Sequence, residues 1–372
     1  MIVWYITSHG FGHAVRSTLI LARVDREIPV TLRTECPRWF LEQKLMGRPF
    51  ELAPAAFDCG TLGPDATRID LRRTLERAEE LIARNERRID EEVQWLRARG
   101  ARLVVADIVP FALRVARRAG IPSILIANFT WAGIYRHLVE MEQPDEALRR
   151  RAAAVIEHMR AEYAEGDLLL TTGFVSDAEA CRERREMPLV AAAGRPRRAE
   201  LARARGLDPA RPIYLVYLGR EGLQGLEPDA RPRLRDLQLV GYAAPAGLEE
   251  LVRPLDEETM PTADAFASVD GVIGKAGYGT CAQCLAVGTR MLYLPRPQFA
   301  EWYALDRALR RWGGGLCIPE RDFLRLDWRP WLERLGRQRI RQTPDCTGAE
   351  RCAREIERAW REGLSRKERE GP

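Results

Sequence analysis

Apolar residues in this chain come in short unbroken runs: MIVWYI (1–6), IPVTLR (28–33), ARLVVAD (101–107), IPSILIA (121–127) and GDLLLTT (166–172). Runs that are continuous rather than alternating, and separated by helical stretches, predict parallel strands buried on both faces. Between the second and third, Leu75, Ala78, Leu81, Ile82, Ile89, Val93 and Leu96 recur at helical spacing among arginines and glutamates. That spacing predicts one long surface helix with a single buried stripe and a solvated charged face.

A second series begins at PIYLVYLG (212–219) and continues through LQLVGY, DGVIG, TRMLYLP and GGLCI, again with helical segments between. The basic, proline-bracketed stretch RPRRAELARARGLDPARP (195–212) precedes it and reads as a boundary. The pattern therefore predicts two α/β domains, 1–195 and 213–345, joined by a linker at 196–212. A helix over Ala349–Leu364 follows in a C-terminal segment, 346–372, with Cys352, Ile356 and Ala359 on one face, able to pack on either domain. Two domains also suit 372 residues, more than one core ordinarily organises.

Composition narrows the function classes. The 59 basic and 54 acidic residues are interspersed, which argues against nucleic acid as a partner. No apolar run is long enough to span a bilayer, and MIVWYITSHG lacks the features of a signal peptide. The expected location is cytoplasmic. Eight scattered cysteines read as small buried hydrophobes, and the lone CxxC of Cys281 and Cys284 as packing. Lysine occurs only at 44, 275 and 367, so Lys275 inside a glycine-rich stretch is either a required compact ammonium or an accident.

Two of the four histidines fall in TSHGFGHAVR (7–16), directly after the first strand. Tested as a dinucleotide fingerprint, with Glu35 as ribose acid, the motif fails at its third glycine, which is Val15. Gly10 and Gly12 instead read as a tight turn that clears space for a substrate, with His13 in the first turn of a helix as general base. Imidazole suits that role, and a helix N-terminus favours its neutral form. A capping or packing histidine is the plainer alternative. Asp107, ending the third strand, is either the carboxylate that orients His13 or the cap of a helix beginning at Pro110. In the second half, DGVIG runs into GKAGYGT, where Gly277 and Gly279 would let backbone N–H groups approach an anion. Thr280 would add a hydroxyl and Lys275 a charge. The Walker A pattern is absent, and a tight turn alone is the simpler account.

SHGFGH with Arg16, together with GKAGYGT and YLPR, resembles the GT-B glycosyltransferases, among them the peptidoglycan UDP-N-acetylglucosamine transferases and the UDP-glycosyltransferases. FDCG (57–60), ADIVPFA, ANFTWAGIY (127–135) and DFLRLDWRPWLE (322–333) look more specifically like the glycosyltransferase-like N-terminal half of the L-arabinokinases. This likeness covers roughly residues 1–340. The kinase half has no counterpart here, so sugar kinase activity is not implied. The resemblance implies an α/β GT-B fold: two Rossmann-like, doubly wound parallel-sheet domains facing a cleft. It makes His13 the base and Asp107 its orienter, with His9, Gly10, Phe11, Gly12 and Arg16 forming the acceptor-side loop. Gly219, Lys275, Gly277, Tyr278, Gly279, Thr280, Gln283 and Glu301 would hold the donor. Gln283 stands where the family usually has a ribose-binding glutamate, and EWYAL keeps only the acid, Glu301, of the usual sugar-binding set.

The implied activity is inverting, metal-independent transfer from a nucleoside diphosphate sugar, with UDP favoured, to a hydroxyl acceptor. No cofactor is needed beyond the nucleotide sugar as co-substrate, and a lipid acceptor would bring peripheral membrane association. A UDP-sugar epimerase and a non-catalytic nucleotide-sugar-binding module are the competing readings. The departures at Gln283 and Trp302 favour the binding module.

Overall fold

The computed structural model describes every residue except 66, 177–179, 219–222, 342 and 364–372. It divides the chain into two compact units. The first comprises Met1–Leu62, Asp70–Val190 and the residues from Cys346 onward, and the second Gly63–Ile69 and Ala191–Asp345.

In chain order the first unit runs β1 (Ile2–Ile6), α1 (Gly12–Leu21), β2 (Val30–Arg33), α2 (Arg38–Leu45), β3 (Glu51–Leu52), α3 (Leu71–Ala98) and β4 (Leu103–Asp107). It continues with α4 (Pro110–Ala119), β5 (Ser123–Ala127), α5 (Trp131–Glu142), α6 (Glu146–Ala164), β6 (Leu168–Thr172) and β7 (Glu183–Met187). The second unit carries α7 (Arg198–Arg205), β8 (Ile213–Tyr217), a 3₁₀ turn at Pro228–Leu234, β9 (Gln238–Gly241), β10 (Val252–Pro254) and α8 (Thr262–Ser268). Then follow β11 (Gly271–Lys275), α9 (Tyr278–Val287), β12 (Arg290–Leu294), α10 (Glu301–Trp312), β13 (Gly315–Cys317), α11 (Glu320–Leu324) and α12 (Trp328–Gly336). The chain then returns to the first unit with α13 (Gly348–Glu362).

Each unit is built on one parallel sheet. The first has the order β3-β2-β1-β4-β5-β6-β7 and the second β10-β9-β8-β11-β12-β13. In both, the strand order reverses beside the first strand of the unit, at β1/β4 and at β8/β11. Crossovers leave the sheet on opposite faces at that point, which opens a crevice beyond the carboxyl ends of the strands. The continuous apolar runs are explained by burial: β1, β4 and β5 lie wholly in the core.

The expected long helix is α3, longer than the apolar stripe alone indicated because Asp70 caps it by accepting from the Arg73 amide at 2.9 Å. The stretch expected as a linker, 196–212, instead contains α7 and belongs to the second unit, where α7 packs on α8. Residues 63–69 also fold with that unit, the Ile69 amide donating to Gln298 Oε1 at 2.8 Å. The C-terminal helix α13 packs on α1, β4 and β7, with Cys352, Ile356 and Ala359 buried, while Leu364 lies outside the described residues. Cys281 and Cys284 are fully buried free thiols of α9, as their reading as packing residues requires. No described helix is long and apolar enough to cross a membrane.

Candidate active site

The reversal point of the first sheet places the end of β1 beside the end of β4, Ile6 pairing with Asp107. The turn after β1 reaches α1 through Gly10, whose φ of +65° is the left-handed conformation that favours glycine. Phe11 precedes α1 without a side-chain cap, and its ring stacks on Phe40 at 4.4 Å. His13, in the first turn, then meets Asp107, with Nδ1 2.8 Å from Oδ1. The two residues singled out separately in the sequence are thus a hydrogen-bonded pair.

The carboxylate decides the tautomer. An unprotonated Nδ1 would set a lone pair against a carboxylate oxygen at hydrogen-bond distance, so Nδ1 carries the proton and Nε2 is left with its lone pair. Arg16 Nη2 lies 3.2 Å from the same nitrogen, but its acceptor is Asp107 Oδ1.

Arg16, placed with the acceptor-side loop in the sequence reading, is 3% exposed and lies beneath the pair. Its Nε donates to Asp107 Oδ2 at 3.1 Å and its Nη1 to Asn128 Oδ1 at 2.7 Å. Ser17 Oγ donates to Asp107 Oδ2 at 2.8 Å. Burial alone would raise the Asp107 pKa; the Arg16 guanidinium and the His13 hydrogen bond overcome it and hold the group down to about 2. Asp107 is thus ionised throughout the neutral range.

His9 rests on a second support that the sequence did not reveal. Its ring sits edge-on to Trp131 with centroids 5.3 Å apart, and it occupies the place a side chain at residue 60 would need. A Cβ on Gly60 would lie 2.3 Å from His9 Cγ, and φ there is +60°. Both facts require glycine. Trp131 also lies 6.0 Å from the His13 ring and 5.3 Å from Phe129. Its indole Nε1 donates to Asp58 Oδ2 at 3.1 Å, and Thr7 Oγ1 donates to Asp58 Oδ1 at 2.6 Å. Burial with only these neutral donors pushes the Asp58 carboxyl up to about 6.

In the second unit, Lys275 ends β11 beside the reversal point and Gly277 is the N-cap of α9, with no side-chain cap and no acid in the first turn. The N–H groups of that turn have no capping side chain, the arrangement that receives anions. Added Cβ atoms at Gly277 and Gly279 would meet nothing within 4 Å, so no protein neighbour accounts for either glycine. Gly12 is alike in this respect. Tyr278 and Thr280 are half-buried in the first turn of α9. Arg296, absent from the sequence-based set although it lies in YLPR, brings Nη1 to 3.5 Å from the Ala276 carbonyl.

One donor-side expectation changes. Gln283 is buried, and both ends of its amide bond the backbone of Ala192: Nε2 donates to the carbonyl at 3.0 Å and Oε1 accepts from the amide at 3.2 Å. In this arrangement it is a structural tie within the unit rather than a free ribose contact. Glu301 is the buried first residue of α10, where the helix N-terminus favours its charge. Gly219 lies outside the described residues. Among the described residues, no group of three or more His, Cys, Asp or Glu side chains is placed to hold a metal ion.

No family model matches the chain. L-arabinokinase of Arabidopsis thaliana is 26% identical over 334 residues, covering 89% of this chain and 32% of that protein. A UDP-N-acetylglucosamine–N-acetylmuramyl-(pentapeptide) pyrophosphoryl-undecaprenol N-acetylglucosamine transferase of Frankia casuarinae is 34% identical over 112 residues, 26% of this chain and 30% of the enzyme. The chain thus spans about a third of the length of the curated relatives it matches. Among solved structures, the glycotransferase of kitacinnamycin matches with a TM-score of 0.62 at 17% identity, over 97% of this chain and 94% of the other. The fold is GT-B. The likeness to glycosyltransferases and arabinokinases read from SHGFGH, FDCG and GKAGYGT is thereby upheld over most of the chain.

Proposed function

We propose that this GT-B protein transfers a glycosyl group from a nucleoside diphosphate sugar to a hydroxyl acceptor. The observation that carries the reading is the His13–Asp107 pair at the reversal point of the first sheet, with Nε2 left as the basic nitrogen. Nε2 takes the acceptor proton while the acceptor oxygen bonds to the anomeric carbon. The bond from that carbon to the diphosphate oxygen breaks, and the configuration inverts. The one negative charge that develops on the departing diphosphate would be met by the N–H groups of the first turn of α9 and the Lys275 ammonium. UDP is the favoured nucleotide because the Frankia relative is named for a UDP donor.

A thermal-shift screen against nucleoside diphosphates and their sugars tests the donor half, since a ligand bound only by the native state raises apparent stability. Incubation of a donor hit with hydroxyl acceptors then tests transfer. A chain that binds donors but only hydrolyses or retains them is not a transferase.

A further inference from the structure

The segment FDCG, 57–60, has no regular secondary structure and is not used by the mechanism above, yet each of its residues is fixed. The Phe57 ring packs on Tyr5 and Phe111, with centroids 5.5 and 5.1 Å away. Cys59 Sγ lies 3.5 Å from the Tyr135 hydroxyl, which donates to the Gly60 carbonyl at 2.6 Å. Gly60 carries the His9 ring against its bare Cα. Asp58 is the polar member, and it gathers the Thr7 hydroxyl from the end of β1 and the Trp131 indole from the start of α5.

A hydrogen bond at Nδ1 fixes the tautomer of an imidazole but leaves the ring free to swing about that bond. For His13 the swing is limited by Trp131 and Phe129, whose centroids lie 6.0 and 5.8 Å from its own. Trp131 is fully buried, so it is a wall behind the base rather than a surface for a ligand. Its orientation depends on what holds the indole N–H. We infer that Asp58 is a positioning residue for His13 and His9: it locks the Trp131 ring on which both imidazoles bear, and through Thr7 it ties the strand end that carries them. Thr7 Oγ1 also accepts from the His9 amide at 3.3 Å, so the same hydroxyl links the carboxylate to the loop backbone. This inference rests on the reading of His13 as the general base.

The experiment uses the full chain with Asp58→Asn, Trp131→Phe and the double variant. Asp58→Asn keeps the shape, while Trp131→Phe keeps an aromatic ring and removes the N–H. With a donor and acceptor pair in hand, each single variant is expected to lower kcat by roughly 10- to 100-fold through a misplaced base, with donor KM unchanged. The double variant should be no worse than the poorer single one, because both changes act through the same Asp58–Trp131 contact. Independently of turnover, the imidazole ring signals of His9 and His13 in NMR spectra of the free protein should shift in Asp58→Asn while those of His158 on α6 stay in place. Unmoved His9 and His13 signals in that variant, or losses that multiply in the double variant, would overturn the inference. If no transfer is found on any pair, the transferase reading fails and the imidazole signals still decide this one.

Discussion

Replacing Asp58 with asparagine should stabilise the protein at alkaline pH relative to acid, the reverse of what losing a satisfied carboxylate ordinarily does. In the fold, burial raises its pKa to about 6 despite the hydrogen bonds from Thr7 and Trp131; the charges of His13 and Asp107 act on it in opposite directions. An unfolded aspartate titrates near 3.9, so the native state binds more protons between those values and stability falls as pH rises through that window. The full cost of ionising the group in place is then about 3 kcal/mol, at about 1.4 kcal/mol per pKa unit. Asparagine carries no such term, but one of its two ends no longer accepts, which costs about 1 kcal/mol at every pH. The pH-independent part cancels when the variant is compared with wild type at two pH values. The difference in their unfolding free energies should therefore move in favour of the variant by about 1 kcal/mol between pH 5 and 8, and by about 2 kcal/mol between pH 4 and 8. Denaturant titration followed by tryptophan fluorescence measures it. A difference that stays constant from pH 4 to 8 refutes the argument, because the carboxyl would then titrate alike in both states.

His13→Ala should leave donor binding nearly unchanged and lower turnover by roughly 10²- to 10⁴-fold; wild-type turnover would place the base elsewhere. Asp107→Asn should fall in the same direction by supporting the wrong tautomer, seen as reduced kcat at unchanged donor affinity. Arg16→Met should destabilise the first unit by about 3–5 kcal/mol at neutral pH, because it strips the cation from a buried carboxylate, and the loss should shrink in acid as Asp107 protonates; equal losses at pH 4 and 8 would contradict this. Gly279→Val should abolish uridine diphosphate binding in calorimetry without unfolding the chain, since its Cβ meets open space within the protein and only a ligand would feel it.

The strands were legible where burial on both faces makes them continuous, and illegible where it does not. β7 reads ERREM and alternates partly buried with exposed positions at the edge of its sheet, so no apolar run announces it. β3 and β10 are only two and three residues long and carry no period at all. The His13–Asp107 pair was readable because each residue sits in its own motif at a strand end. Asp58 was not, because its partners at 7 and 131 come together only through the sheet order β1-β4-β5. The one signal for it was the FDCG likeness, which said that the stretch mattered and not why. The contact of Arg16 with Asp107 was not readable for a related reason: helical spacing from His13 turns it inward onto a residue 91 positions away.

Asp107 and Asp58 are both buried carboxylates that accept from well-placed donors, yet one is held near 2 and the other near 6. The difference lies in the donors. Asp107 receives a guanidinium as well as a hydroxyl and an imidazole, so its charge is matched by a cation that cannot titrate away. Asp58 receives only a hydroxyl and an indole, whose dipoles do not repay the loss of water. The first arrangement keeps the carboxylate charged throughout the neutral range. The second leaves the fold carrying an uncompensated cost that a neutral side chain would relieve, and such costs persist where activity requires them. Stability and turnover should consequently move in opposite directions in Asp58→Asn at pH 8. A variant that gains stability there and keeps full turnover would show that the carboxylate only packs the wall behind His13, and that the orientation of the base is set by Asp107 alone.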